Sequence, residues 1–89
     1  MAQEVEEILE QRGSVYGDFT LNIHSRATIM TQLNQIHIEK TGVQLKPIDY
    51  QALNDLVIKL VRLAATPEHG DSWTDIVGYA KLNIERLTK

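Results

Sequence analysis

The stretch PIDYQALNDLVIKLVRLAA, from Pro47 to Ala65, decides the fold. Its apolar residues recur at helical spacing and form a broad face, which is typical of a helix with little contact with water. The proline suits the first helical turn, because its missing N–H would have no partner there. We expect a largely buried central helix whose apolar face comprises Ile48, Ala52, Leu53, Leu56, Val57, Leu60, Leu63 and Ala64.

A narrow charged row crosses this helix. Asp55, Lys59 and Arg62 are spaced i, i+4 and i+7, so they lie on one side of it. Charged groups on a buried helix need partners or a ligand. Lys59 and Arg62 suit phosphate, as a point charge and a planar fork respectively. The alternative is a structural network, in which Asp55 pairs with Lys59 and Arg62 pairs with Asp71 or Asp75.

Three further helices are predicted around the central one. A short helix spans Gln3 to Arg12, and a longer one runs from Thr20 to Lys40 and ends at Gly42. The last helix opens with Asp71 or Ser72 as its N-cap. Their predicted inner faces are Ile23, Ala27, Met30, Leu33, Ile36 and His37 in the second helix, and Trp73, Ile76, Val77, Ala80, Ile84 and Leu87 in the last.

The segment from Gly13 to Phe19 interrupts the helical pattern with two glycines. It carries Tyr16 and Asp18, and two interpretations remain open. In the first, the aromatic side chains form a lid over a flat ligand, with Asp18 as a hydrogen-bond acceptor. In the second, the rings plug the end of a bundle and Asp18 caps the next helix.

Polar residues of the last helix complete a candidate site. Asp71, Asp75 and the central Asp55 provide the oxygen ligands that Mg²⁺ prefers. Tyr79 lies one turn after Asp75 and is a further candidate ligand-binding residue. Gly78 costs about 1 kcal/mol relative to alanine inside a helix, which predicts a close approach by a neighbouring helix or ligand.

Composition limits the class of protein. The 89 residues predict a single helical domain over 1–89, and so small a domain buries a modest core, which favours homo-oligomers. The net charge of −3 gives no general attraction to nucleic acid, and the absence of cysteine excludes disulfides. The acidic start lacks a long apolar run, which predicts a cytoplasmic protein without a membrane span. The predicted fold class is all-α, with four helices in an oligomeric arrangement.

Four motifs carry a resemblance to known families: Glu10-Gln11-Arg12-Gly13, Tyr16-Gly17-Asp18-Phe19, Lys59-x-x-Arg62 and Asp71-Ser72-Trp73-x-Asp75-Ile76-x-Gly78-Tyr79-Ala80. The chain resembles small phage and prophage proteins of unassigned function and phage domains linked to nucleotide modification. More distantly, it resembles the all-α nucleoside triphosphate pyrophosphatases of the MazG type. The resemblance implies a helical oligomer in the host cytoplasm that handles nucleotides, with magnesium held by glutamate and aspartate.

The chain departs from the acidic motif of those pyrophosphatases, which is Glu-x-x-Glu on one helix and Glu-x-x-Asp on another. Glu7 and Glu10 have the first spacing, but they precede the glycine break. Asp71 and Asp75 are four residues apart rather than three. A site with fewer carboxylates and added cations favours binding of a nucleotide over its cleavage.

Three functions follow from these residues. The first is a nucleotide-binding protein, serving nucleotide metabolism or sequestering a signalling nucleotide, with Lys59 and Arg62 on phosphate and Tyr16 or Trp73 against the base. The second is a magnesium-dependent pyrophosphatase that uses the three aspartates. The third is a structural helical oligomer that binds a protein partner through an exposed apolar stripe on the second helix. The nine candidate residues are Tyr16, Asp18, Lys59, Arg62, Trp73 and Tyr79 for the ligand, and Asp55, Asp71 and Asp75 for the metal.

Overall fold

A computed structural model describes Val5 and residues 18–89. Within residues 18–89 the chain forms three helices and no strand, which confirms the all-α class. They are α1 (Phe19–Thr41), α2 (Pro47–Ala65) and α3 (Gly70–Leu87). The predicted helix from Gln3 to Arg12 lies outside the described residues except for Val5, which is helical and exposed.

Helix α2 lies at the centre of the described chain, as predicted, because α1 and α3 each pack against it. Met30 of α1 is buried against Val57 and Val61 of α2. Leu33, Tyr50 and Leu53 are partly buried around this cluster, and Leu63 is buried elsewhere on α2. The core within residues 18–89 is therefore small, and α2 holds most of it.

The ends of α1 follow the predicted capping chemistry. The Leu21 N–H donates to the Asp18 carboxylate at 2.8 Å, so Asp18 is the N-cap. Gly42 has φ 81° and donates its N–H to the Ile38 carbonyl at 2.7 Å. Because this left-handed conformation strains residues with a Cβ, glycine suits the position. The connection that follows is held by Asn34, whose side-chain oxygen accepts from the Leu45 N–H at 2.9 Å.

Helix α3 begins earlier than predicted. Its N-cap is His69 rather than Asp71 or Ser72. The Ser72 hydroxyl lies 2.8 Å from the His69 ring Nδ1, and the Ser72 N–H donates to the His69 carbonyl at 3.2 Å. Ser72 is thereby drawn into the first turn and buried. Asp71 and Asp75 lie inside the helix, where neither acts as its N-cap.

The predicted inner face of α3 is wrong. Ile76 is half-buried, but the other five residues are exposed: Trp73, Val77, Ala80, Ile84 and Leu87. The residues withdrawn from solvent are instead Ser72, Ile76, Tyr79, Asn83 and Arg86. The helix is rotated so that its polar side meets charged residues of α2.

A Cβ built on Gly78 would meet no atom within 4 Å among the described residues, so neither α1 nor α2 approaches this glycine closely. The close approach of a ligand stays a prediction. The predicted inner face of α1 is right in part, since Met30 is buried while Ile23, Ala27 and Ile36 are exposed.

Among the residues described, no helix is long and apolar enough to cross a membrane.

We expect Met30→Ala to lower the free energy of unfolding by about 2–5 kcal/mol, because it leaves a cavity between α1 and α2. Ile36→Ala, on the exposed side of the same helix, is the control and should change it by about 0.5 kcal/mol or less. Urea denaturation followed by circular dichroism measures both. Equal losses for the two variants would contradict the packing described.

Candidate functional site

Lys59 and Asp75 form an ion pair between α2 and α3. The Lys59 Nζ lies 2.8 Å from the Asp75 Oδ2. The lysine side chain is 12% exposed and the aspartate side chain is 48% exposed, so the pair lies at the border of the helix contact. In the structural network that the sequence offers as the alternative, Asp55 pairs with Lys59 and Arg62 with Asp71 or Asp75; the partner of Lys59 is instead Asp75. The structure brings together two candidate residues from different helices.

A second ion pair joins the same two helices near their other ends. An Arg86 guanidinium nitrogen lies 3.4 Å from the Asp49 Oδ1. Asn83 accepts from Arg86 at 3.0 Å and 3.2 Å, which holds the guanidinium in place. Asp49 is at the start of α2 and Arg86 at the end of α3, so the two pairs define an antiparallel register. Sequence reasoning missed Asp49 as a partner.

The Lys59–Asp75 pair brings two rows of polar residues together. Asp71 and Tyr79 lie one turn before and one turn after Asp75 on α3, while Asp55 and Arg62 flank Lys59 on α2. We call these six residues the charged junction: Asp55, Lys59, Arg62, Asp71, Asp75 and Tyr79. Asp55, Lys59, Arg62 and Tyr79 are half-buried, and Asp71 and Asp75 are exposed. The junction thus combines two cations and three carboxylates at a surface that is partly open to water.

Trp73 does not belong to the junction. It precedes Asp75 by two residues, so the two side chains leave α3 in nearly opposite directions. Its indole N–H donates to the Pro67 carbonyl at 2.9 Å, and the ring is half exposed. Asp18 is also placed elsewhere, at the start of α1. Tyr16 lies outside the described residues.

The described residues do not form a protein cage for a metal ion. In residues 18–89, no group of three or more histidine, aspartate or glutamate side chains is arranged to hold one. Asp55, Asp71 and Asp75 are therefore not gathered as a set of three ligands. Magnesium often binds through one or two carboxylates, waters and the phosphates of a ligand. Binding of that kind stays a prediction for Asp71 and Asp75.

An apolar groove of about 430 Å³ lies between the start of α1 and the end of α2. It is lined by Asp18, Leu21, Asn22, Ser25, Ile29, Leu60, Val61, Ala64 and Ala65. Among the described residues of the predicted ligand site, Asp18 alone borders the groove. The groove could have been anticipated from Leu21 and Ile29, which lie beside the predicted inner face of α1. Its lining of aliphatic side chains suits apolar contacts rather than phosphate.

The two ion pairs should differ in strength. In a double-mutant cycle we expect Lys59→Met and Asp75→Asn to show a coupling of about 1 kcal/mol in the free energy of unfolding. The matched cycle of Arg86→Met and Asp49→Asn should show less, because that contact is longer and its cation more exposed. Urea denaturation of the wild type, the four single variants and the two double variants measures both couplings. No coupling between Lys59 and Asp75 would contradict the contact.

Comparison with known proteins identifies a family for this chain. Neither a curated protein nor a solved structure matches it. One family matches residues 1–87, which is nearly the whole chain. The chain belongs to that family, described as a domain of unknown function (DUF6378).

Proposed function

We propose that the protein binds a phosphorylated small molecule, a nucleotide, at the charged junction. The observation that carries the proposal is the Lys59–Asp75 pair, which joins a cationic row of α2 to an acidic row of α3. A lysine and an arginine three residues apart on one helix can contact the same phosphate group.

The environment of Lys59 suits this role. Its side chain is largely withdrawn from water, which strengthens its electrostatic interaction with an anion. Its partner Asp75 is half exposed and can turn towards solvent when a phosphate takes its place. Arg62 lies on the same side of α2 and adds a bidentate donor. Asp75 therefore competes with the ligand for Lys59 in the free protein.

The residue that contacts the base belongs to the same proposal. The sequence favours Tyr16 or Trp73 for this contact, but Trp73 faces away from Asp75 on α3. Tyr79 is one turn from Asp75 and half-buried, so we assign the contact with the base to its ring. The proposal for Tyr16 stands as a prediction outside the described residues.

Magnesium fits this proposal as a companion of the ligand. Asp71 and Asp75 are exposed carboxylates one turn apart, and a bound triphosphate would supply the further oxygens that the ion requires.

The motif resemblance to phage proteins and to all-α pyrophosphatases adds support for a nucleotide ligand and for a fourth helix in an oligomer. The departures at Glu7, Glu10 and Asp75 favour binding over hydrolysis.

Isothermal titration calorimetry against a panel of nucleotides and cyclic dinucleotides tests the proposal. We expect micromolar or tighter binding of at least one nucleotide, and a loss of about tenfold or more in affinity for Arg62→Gln. Arg26→Gln is the matched control, since Arg26 is half-buried on α1 and outside the junction. Flat traces for every compound would eliminate nucleotide binding.

Asp75→Asn separates binding from hydrolysis. If phosphate displaces Asp75 from Lys59, the variant should bind the nucleotide more tightly in EDTA, because the competing carboxylate is gone. If the protein is a pyrophosphatase, the variant should instead lose a magnesium-dependent release of pyrophosphate. Release by the wild type that stops in EDTA would establish the hydrolytic alternative in place of simple binding.

A second candidate function is a structural helical protein that binds a protein partner. The exposed apolar residues of α1 favour it, since Phe19, Leu21 and Ile36 are all more than half exposed. Large exposed apolar surfaces on small proteins commonly mark interaction sites. Neither Leu21 nor Ile36 belongs to the charged junction, so the two candidates can be tested separately.

For this candidate we expect the tagged protein to retain a specific partner from the cells that produce it. Leu21→Glu together with Ile36→Glu should abolish the capture, because a carboxylate on each apolar patch opposes burial. Arg62→Gln should leave the capture unchanged. Identical captured proteins for all three chains would count against an α1 interface.

A further inference from the structure

The exposed side of α3 carries a regular apolar row. Trp73, Val77, Ala80, Ile84 and Leu87 are separated by four, three, four and three residues, which is the spacing of the a and d positions of a coiled coil. The four large side chains are exposed by 53%, 69%, 62% and 71%, respectively. We call these five residues the α3 seam. All five residues are exposed, and none of them belongs to the charged junction.

We propose that the α3 seam pairs in parallel, and in register, with the seam of a second copy of this chain. In the coiled-coil pattern Val77 and Ile84 occupy a positions, and Trp73, Ala80 and Leu87 occupy d positions. β-Branched residues at a with leucine at d favour two parallel strands over trimers. The seam presents both β-branched residues at a and a leucine at one d position.

The available area suits a small reversible dimer. The exposed parts of the four large side chains amount to roughly 400–500 Å² of surface on each copy. Two facing seams would therefore bury about 1,000 Å² in total, at the lower end of specific interfaces. The core within residues 18–89 is small, so burial of the seam adds a large share of apolar contact.

The residues that flank the seam on α3 favour a parallel over an antiparallel pair of helices. In a parallel pair, Ile76 of one copy flanks Lys81 of the other, and Asn83 flanks Thr88, so no like charges meet. In an antiparallel pair with full overlap, Lys81 faces the same lysine of the second copy. Two close ammonium groups repel each other, so the seam selects one orientation.

Sedimentation equilibrium of the full chain tests the pairing. We expect a monomer–dimer equilibrium with a dissociation constant in the micromolar range, and an increase of about thirtyfold or more for Ile84→Glu, which places a charge in the seam. Ile48→Glu is the matched control, because Ile48 is 58% exposed at the start of α2, outside the seam, and should leave the dissociation constant unchanged. Circular dichroism of both variants checks that the helices are retained.

The natural absence of cysteine allows a direct test of orientation. Val77→Cys should form a disulfide-linked dimer under mild oxidation, because equivalent a positions face each other in a parallel pair. Ile48→Cys, at an exposed position of α2, should not. A wild-type chain that is monomeric at all concentrations would overturn the proposal. So would equal weakening by both glutamate variants or a dimer in which Val77→Cys does not cross-link.

Discussion

Lys59 is a charged side chain that lies almost out of water in the contact between two helices, and the arrangement of α3 depends on its partner. An unpaired ammonium group in that position would be costly, so α3 must present a carboxylate to it. Asp75 meets this need at 2.8 Å. The rotation that brings Asp75 to Lys59 also turns Tyr79 towards α2 and turns Val77 and Ile84 away from it. The two ion pairs between α2 and α3 and the exposed apolar side of α3 are therefore features of one helix orientation.

This rotation gives α3 two chemically different surfaces. On one side, the charged junction offers cations and carboxylates at a partly open border of two helices. On the other, the α3 seam offers an uninterrupted apolar row to a second copy. A ligand that displaces Asp75 would change the charge on one side of α3 without touching Ile84 on the other. The two proposals are therefore physically independent, although both depend on the same helix orientation.

The sequence predicts the boundaries of the central helices well because local chemistry determines them. Pro47 begins α2 and the segment before Pro67 ends it, while Asp18 and Gly42 cap α1. Which side of α3 packs against α2 could not be predicted in the same way. A pattern of apolar residues indicates the helix, but which side packs depends on residues of α2 that are distant in sequence. Asp75 was identified as a candidate, yet its pairing with Lys59 requires the register between two helices.

The two ion pairs have opposite polarity: α2 provides the carboxylate in one pair and the ammonium group in the other. Asp49 and Lys59 are separated along α2 by nearly the same distance as Asp75 and Arg86 along α3. If an unfolded chain docked its α2 alongside a neighbour's α3 with both helices running the same way, Asp49 would face Asp75 and Lys59 would face Arg86. Repulsion at both places would disfavour that mistake, so the order of charges protects the chain against one route of misassembly at high concentration.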